Sequence, residues 1–519
     1  MKLRNITIIT IIVCLFIIGS VSASEDSVQD NLSVQTQNSD IKAISIQQDT
    51  QNPFLNEGNM SDQDIDSDVN ISTQDVNSDE DIQNKSNDNS SKLIEDEIAT
   101  DNATINNDTN KTEDWKTFNV SDYKTLHSAA TTNKYDKIII NLKSDIILKR
   151  NLFFSESIKK LIINGNNRAI NGNKKYHIVV DGVVTMKNTK IINCYSSLGG
   201  GINNKGKLEI INCRLENNKA KTGGAIYNAN KLIIKNSVLK NNQATDSGGA
   251  IGNDGYLSIK KSVLSYNTAK NNGAISNYKS KALIVKTTIR NNYGKYSVGA
   301  INNDKGSMNI IDTTLKNNRG KHIGTIHNYY GKLIISNSKL INNIATEDGG
   351  AAISNSNGKM TIKNCIINNN VGKKSVGAIF NVGSMTIDKT TINNNKAQFT
   401  GAIGNYGKLT VKNSKLNNNY VKYDGGAITN YESKVTLLKC AINNNQAMTA
   451  GGAICNVASL TISHCTLYKN KSPQGGAILN SDHGKITIKN SKLKFNKPGG
   501  KGTIKIESGK VTIIKTTIK

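Results

Sequence analysis

Residues Gly223 to Ala244 read GGAIYNANKLIIKNSVLKNNQA, and close copies of this stretch recur to the end of the 519-residue chain. The isoleucine of its GGAI element returns at Ile202, Ile226, Ile251, Ile275, Ile301, Ile326, Ile353, Ile379, Ile403, Ile428, Ile454, Ile478 and Ile504, at intervals of 24 to 27 residues. A period held this closely marks a solenoid, in which each unit buries its apolar face only by stacking on the next. Leu232 and Ile234 alternate with Ile233 and Lys235. That is a spacing of two, the pattern of strands with one buried face. A unit of about 25 residues accommodates three short strands and three turns, one triangular coil of an all-β parallel β-helix. A leucine-rich repeat is excluded, because the segment from Asn242 to Gly248 is short and polar and carries no helical stripe.

Aligned column by column, the copies show what the stacking demands. Two residues after the anchor isoleucine stands Asn in twelve of thirteen copies: Asn204, Asn228, Asn253, Asn277, Asn303, Asn328, Asn355, Asn381, Asn405, Asn430, Asn456 and Asn480, with Ile506 the exception. Amides stacked at the inter-strand spacing of roughly 4.8 Å can pass hydrogen bonds along the column. The position before the third strand is always Ser, Thr or Cys, as in Ser237, Thr287 and Cys213, so a small residue is required there. Glycine precedes the small residue of GGAI except at Ala351, which points to a tight bend or a close backbone approach.

GGAI at Gly223 to Ile226, followed by LxNN at Leu239 to Asn242, resembles the GGAI and FxxN repeats of chlamydial polymorphic membrane proteins. It is also similar to the adhesin-like proteins of host-associated methanogenic archaea. The resemblance covers about residues 116 to 519 and implies a right-handed β-helix. It says less about function, because the architecture hosts adhesins, lyases, hydrolases and passive stalks alike.

Four regions follow. In residues 1–23, Lys2 and Arg4 precede the apolar run Ile6 to Ile18, and Val21-Ser22-Ala23 offers a cleavage site. This reads as a secretory signal peptide, leaving no transmembrane span in the mature chain. Residues 24–115 hold 22 Asp and Glu against 4 Lys, the composition of a disordered linker, and its eight Asn-x-Ser/Thr sequons either mark a glycosylated spacer or simply follow from its Asn- and Ser-rich composition. Residues 116–201 comprise an N-terminal cap and irregular first coils. Ser121 is the expected N-cap of a helix that places Tyr123, Leu126, Ala129 and Ala130 on one face. Residues 202–519 are the regular repeats, ending at Ile518-Lys519 without an evident cap. Either a shortened chain or a covering partner is expected at that end.

The chain carries a net charge of +26, and residues 116–519 hold 60 Lys and Arg against 18 Asp and Glu. Such a field concentrates polyanions: acidic glycans, anionic cell-surface polymers or the surfaces of other cells. No motif for specific nucleic-acid readout is present. Four cysteines, Cys213, Cys365, Cys440 and Cys465, occupy the small-residue column, and only Cys440 and Cys465 fall in adjacent coils where a bridge could be tried. No metal-ligand spacing exists among Cys and His, so no cofactor or metal is expected.

A glycan hydrolase needs two carboxylates roughly 5 to 10 Å apart. Asp246, Asp348 and Asp424 share a turn, but four and three coils separate them. Asp254 and Asp304 are two coils apart, about 10 Å at the strand spacing, with Tyr278 between them. The chain is therefore expected not to be an enzyme. Tyr278, Tyr329, Tyr406 and Tyr431 follow the Asn column at one turn, and an outward position before it carries Tyr227, His327, Phe380 and Leu479. The Tyr- and Lys-bearing edge is the expected glycan-contact face, with Tyr406 and Tyr431 placed to stack on a sugar or on each other. The expected function is that of an exported, adhesin-like protein presenting an elongated basic surface to glycans or cells. The alternatives are a self-associating envelope element and, behind it, a polysaccharide lyase or hydrolase.

Overall fold

The computed structural model describes residues 115–519, apart from the side chains of 498–501. The expected signal peptide, the acidic segment before Trp115 with its eight sequons, and Cys14 lie outside the described residues. Residues 202–519 lie in a right-handed parallel β-helix, as the repeat led us to expect.

One coil shows the construction. Ile226–Asn228 joins a 15-stranded sheet, Lys231–Lys235 a 17-stranded sheet, Val238–Lys240 a 16-stranded sheet and Gln243–Ser247 a 13-stranded sheet. From Tyr195–Leu198 to Lys497–Lys501 each coil thus has a fourth strand, where the sequence pattern led us to expect three. The fourth escaped because its only inward side chain is small: Ala220, Ala244 and Ala269 pair in successive coils, followed by Gly294 and Gly320. Such a strand shows no alternation of large apolar residues.

Like stacks on like. Ile226 pairs with Ile251, Leu232 with Leu257, Ile234 with Ile259 and Leu239 with Leu264, all in parallel register. These residues are fully buried and belong to one core that runs from Val120 to Leu493. The turn back to the 15-stranded sheet needs both glycines. Gly223 sits at φ +67°, and a Cβ on Gly224 would lie 2.2 Å from the carbonyl oxygen of Gly249 in the next coil.

Asparagine does three different jobs. Asn236 and Asn241 turn the chain with φ of 49° and 55°, a region their short polar side chains tolerate. Ladder asparagines stack in the core. From Asn204 to Asn456 each Nδ2 donates to Oδ1 of the ladder Asn in the next coil at 2.6 to 3.0 Å. A second donation commonly goes to a turn carbonyl, as from Asn253 to Gly255 at 2.7 Å. The small-residue column works similarly. The Ser237 hydroxyl donates to the carbonyl of Lys235 at 2.7 Å and accepts the backbone N–H of Cys213 at 3.0 Å, so only a short side chain with a polar γ-atom fits.

At the N-terminal end, strand Lys116–Val120 pairs with Lys137–Leu142, and helix Tyr123–Ala130 lies between them in sequence. Its N-cap is Asp122, not Ser121. The Asp122 carboxylate accepts from Thr125 N–H at 2.8 Å, whereas the backbone carbonyl of Ser121 accepts from the Ser144 hydroxyl. Leu126, Ala129 and Ala130 are buried and Tyr123 packs partly against the core. The apolar run from Ile178 to Val184 is divided between two strands, Ile178–Val180 and Val183–Lys187, with a break at Asp181-Gly182.

Candidate functional site

The residue after each ladder Asn starts the turn toward the 17-stranded sheet. Tyr278, Asp304 and Tyr329 hold this place in successive coils and pair in register. The Tyr278 ring is 42% exposed, with the Lys279 ammonium 4.9 Å from its centroid, a cation–π distance. Asp304 is buried, its Oδ1 unpartnered among the described residues. Burial pushes its carboxyl above the ordinary range, against the pull of Lys305 and Lys279. Tyr329 is half-buried and meets Tyr330 edge-on at 4.7 Å. Tyr278, Lys279, Asp304 and Tyr330 thus form a small polar and aromatic patch.

The rest of the expected face is engaged internally. Tyr406 and Tyr431 stack on each other at 4.4 Å and 10°, and Tyr406 also packs near Phe380 at 5.6 Å. The Tyr431 hydroxyl lies 3.3 Å from Thr400 Oγ1, and burial pushes it up to about 12. The position expected to face outward is likewise covered: His327, Phe380 and Leu479 are buried, and only Tyr227 is half-exposed. The turn before the glycines folds over this face, and a Cβ on Gly404 would meet Val376 Cγ2 at 2.9 Å. Leu479 packs there with Ala450 and Cys455 in a small second cluster. His327 bonds Ser356 Oγ at 3.1 Å, and burial brings its imidazole down to about 4.

The carboxylates remain dispersed. Asp254 accepts from the Tyr227 hydroxyl, and Asp246 accepts from Asn271 Nδ2 at 2.8 Å. Asp348 lies 3.8 Å from His322 Nδ1. Burial pushes the Asp424 carboxyl up to about 6, opposed by the N–H of Ala450. No group of three metal-capable side chains occurs among the described residues. The six cysteines there are buried and free, Cys440 and Cys465 included. Burial pushes the Cys213 and Cys365 thiols up to about 11, so they are poor nucleophiles.

Two columns went unread in the sequence. The second Asn of LxNN forms another buried ladder, Asn218 to Asn496, in which Asn242 Oδ1 accepts from both N–H and Nδ2 of Asn218 at 3.1 and 3.0 Å. Its invariance in LxNN was the available signal. Asn470, the one sequon within the regular repeats, is a fully buried rung of this ladder. The other is a threonine column on the outer face of the 17-stranded sheet, visible only once the strands are in register.

The family model described as a right handed beta helix region matches residues 349–518. The model of the Chlamydia polymorphic membrane protein repeat matches residues 212–229, a stretch holding the LENN and GGAI elements from Leu215 to Ile226. No curated protein matches the chain. Among the described residues no helix is long and apolar enough to cross a membrane. The two family matches and the stacked, in-register coils agree on one architecture, that of a parallel β-helix repeat.

Proposed function

We propose that the chain is an exported, surface-displayed protein of adhesin type, whose solenoid binds acidic glycans or other anionic cell-surface polymers and does not turn them over. The observation that carries this reading is the charge of residues 116–519, 60 Lys and Arg against 18 Asp and Glu, spread along a solenoid of stacked coils. Export is supported by the Lys2 to Ala23 pattern. Surface display is supported by the likeness of residues 212–229 to a repeat named for a membrane protein. Binding without turnover is supported by the scatter of carboxylates: Asp254 is already held by Tyr227, and Asp304 is buried.

The test is a binding screen of the full chain against glycans and whole cells at low and high salt. Acidic glycans should be retained, more weakly as salt rises. Self-assembly with no binding to glycans or cells would overturn the reading in favour of a structural envelope protein. Polysaccharide cleavage abolished by Asp304→Asn would overturn the non-enzymatic part.

A further inference from the structure

The 17-stranded sheet presents an outer face with an order that the core does not require. In seven consecutive strands, from Lys359–Lys363 to Lys510–Ile514, the central outward residue is threonine. The seven pair in unbroken register, Thr361 with Thr386 and onward to Thr487 with Thr512. All are half-exposed, and none of their hydroxyls has a partner among the described residues. Beside them runs an exposed column in which Lys332 pairs with Lys359 and Lys485 with Lys510, while Lys408 and Lys434 open adjacent strands whose register, Leu409 on Val435, sets them side by side. Ser307, Ser384 and Ser459 precede the three pairs. No carboxylate pairs with these six lysines among the described residues. The one acid within the seven strands, Asp388, is held by Lys412 at 3.5 Å and by Asn413 at 2.9 Å.

Cross-strand like charges are destabilising, so stacked lysine pairs left without counter-ions mark a surface that an external polyanion would neutralise. We infer that this threonine and lysine face is the binding track of a linear acidic polysaccharide, laid along the solenoid axis with its carboxylates on the lysines and its hydroxyls on the threonines. The inference rests on the glycan-binding reading above and assigns it a face. The strand spacing of about 4.8 Å is close to the advance per unit of an extended hexose chain, so sugars and coils can stay in step over several rungs. Nucleic acid fits less well, because the seven strands contain no aromatic side chain for base stacking.

The test uses the full chain with polygalacturonate as probe, neutral galactan as control and single-stranded DNA as competitor. Lys408→Gln with Lys434→Gln and Lys485→Gln should weaken binding by roughly tenfold or more, with a flatter salt dependence. Thr410→Val with Thr436→Val and Thr461→Val keeps charge and β-branching and should weaken it by roughly fivefold. Lys339→Gln with Lys415→Gln and Lys492→Gln removes the same charge from exposed positions on the 16-stranded sheet and should cost less than about twofold. Equal losses from the two lysine sets, an inert threonine set, or stronger binding of DNA than of polygalacturonate would each overturn the track while leaving surface binding intact. No binding of any acidic glycan by the unmutated chain would overturn track and function together.

Discussion

Neighbouring asparagines of one turn differ in what they hold. Asn317 is exposed at φ 56° and turns the chain, while Asn318 is fully buried. Its Oδ1 accepts N–H and Nδ2 of Asn292 at 3.1 and 3.0 Å, and its Nδ2 donates to Ile289 O and Asn343 Oδ1 at 3.0 and 3.1 Å. Asn317→Gly keeps the left-handed turn and should change stability by no more than about 1 kcal/mol. Asn318→Ala strands at least two buried groups at about 1 to 3 kcal/mol each, so roughly 3 kcal/mol or more should be lost, as a lower urea midpoint. Asp424 makes the complementary case. With a folded pKa of about 6 against an unfolded value of about 3.9, the folded state holds this proton more tightly. Its stability is therefore undiminished below about pH 4 and declines as pH rises to about 6. Asp424→Asn removes that decline, so the variant should gain up to about 3 kcal/mol over the parent at pH 7 and nothing at pH 3.5. His327, brought down to about 4 by burial, changes stability in the opposite sense over the same range, so the difference between variant and parent melting curves is the informative quantity.

At the level of elements, what the sequence showed depended on the size of the inward side chain. Leu232, Ile234 and Leu239 announced their strands by alternation, and Ile226 with Asn228 announced a third. Ala244 could not announce the fourth, because alanine in a polar run looks like a loop. The Tyr edge was legible as a column, yet its exposure was not. Whether Tyr431 faces solvent depends on Thr400, far from it in sequence but 3.3 Å away in the fold. The N-terminal helix was legible to within one residue, and the shift has a measurable consequence. Asp122 bonds Thr125 N–H in a reciprocal capping box, while Ser121 contributes a backbone carbonyl. Asp122→Ala should cost about 1 kcal/mol and speed amide exchange in Tyr123–Ala130, whereas Ser121→Ala should leave both nearly unchanged. An equal effect from the two substitutions would return the cap to Ser121.

Across the whole solenoid, each coil contacts only its neighbours, so stability is a sum of local terms along one dimension. Both Asn ladders and the small-residue column follow this rule: every bond described for them joins a residue to its own or an adjacent coil. A break at Asn318 should therefore stay near its origin. The amides facing the lost rung, Asn292 above all, should exchange fastest in Asn318→Ala, with Asn343 and Asn267 next. The ladder ends around Asn218 and Asn496 should keep the protection of the parent protein. Limited proteolysis should cut first in the coils between Ile301 and Ile353, giving two protected fragments of unequal length. Uniform loss of protection from Asn218 to Asn496 would mean that the coils melt as one cooperative body, and nearest-neighbour stacking would then be the wrong description of how this rod holds together.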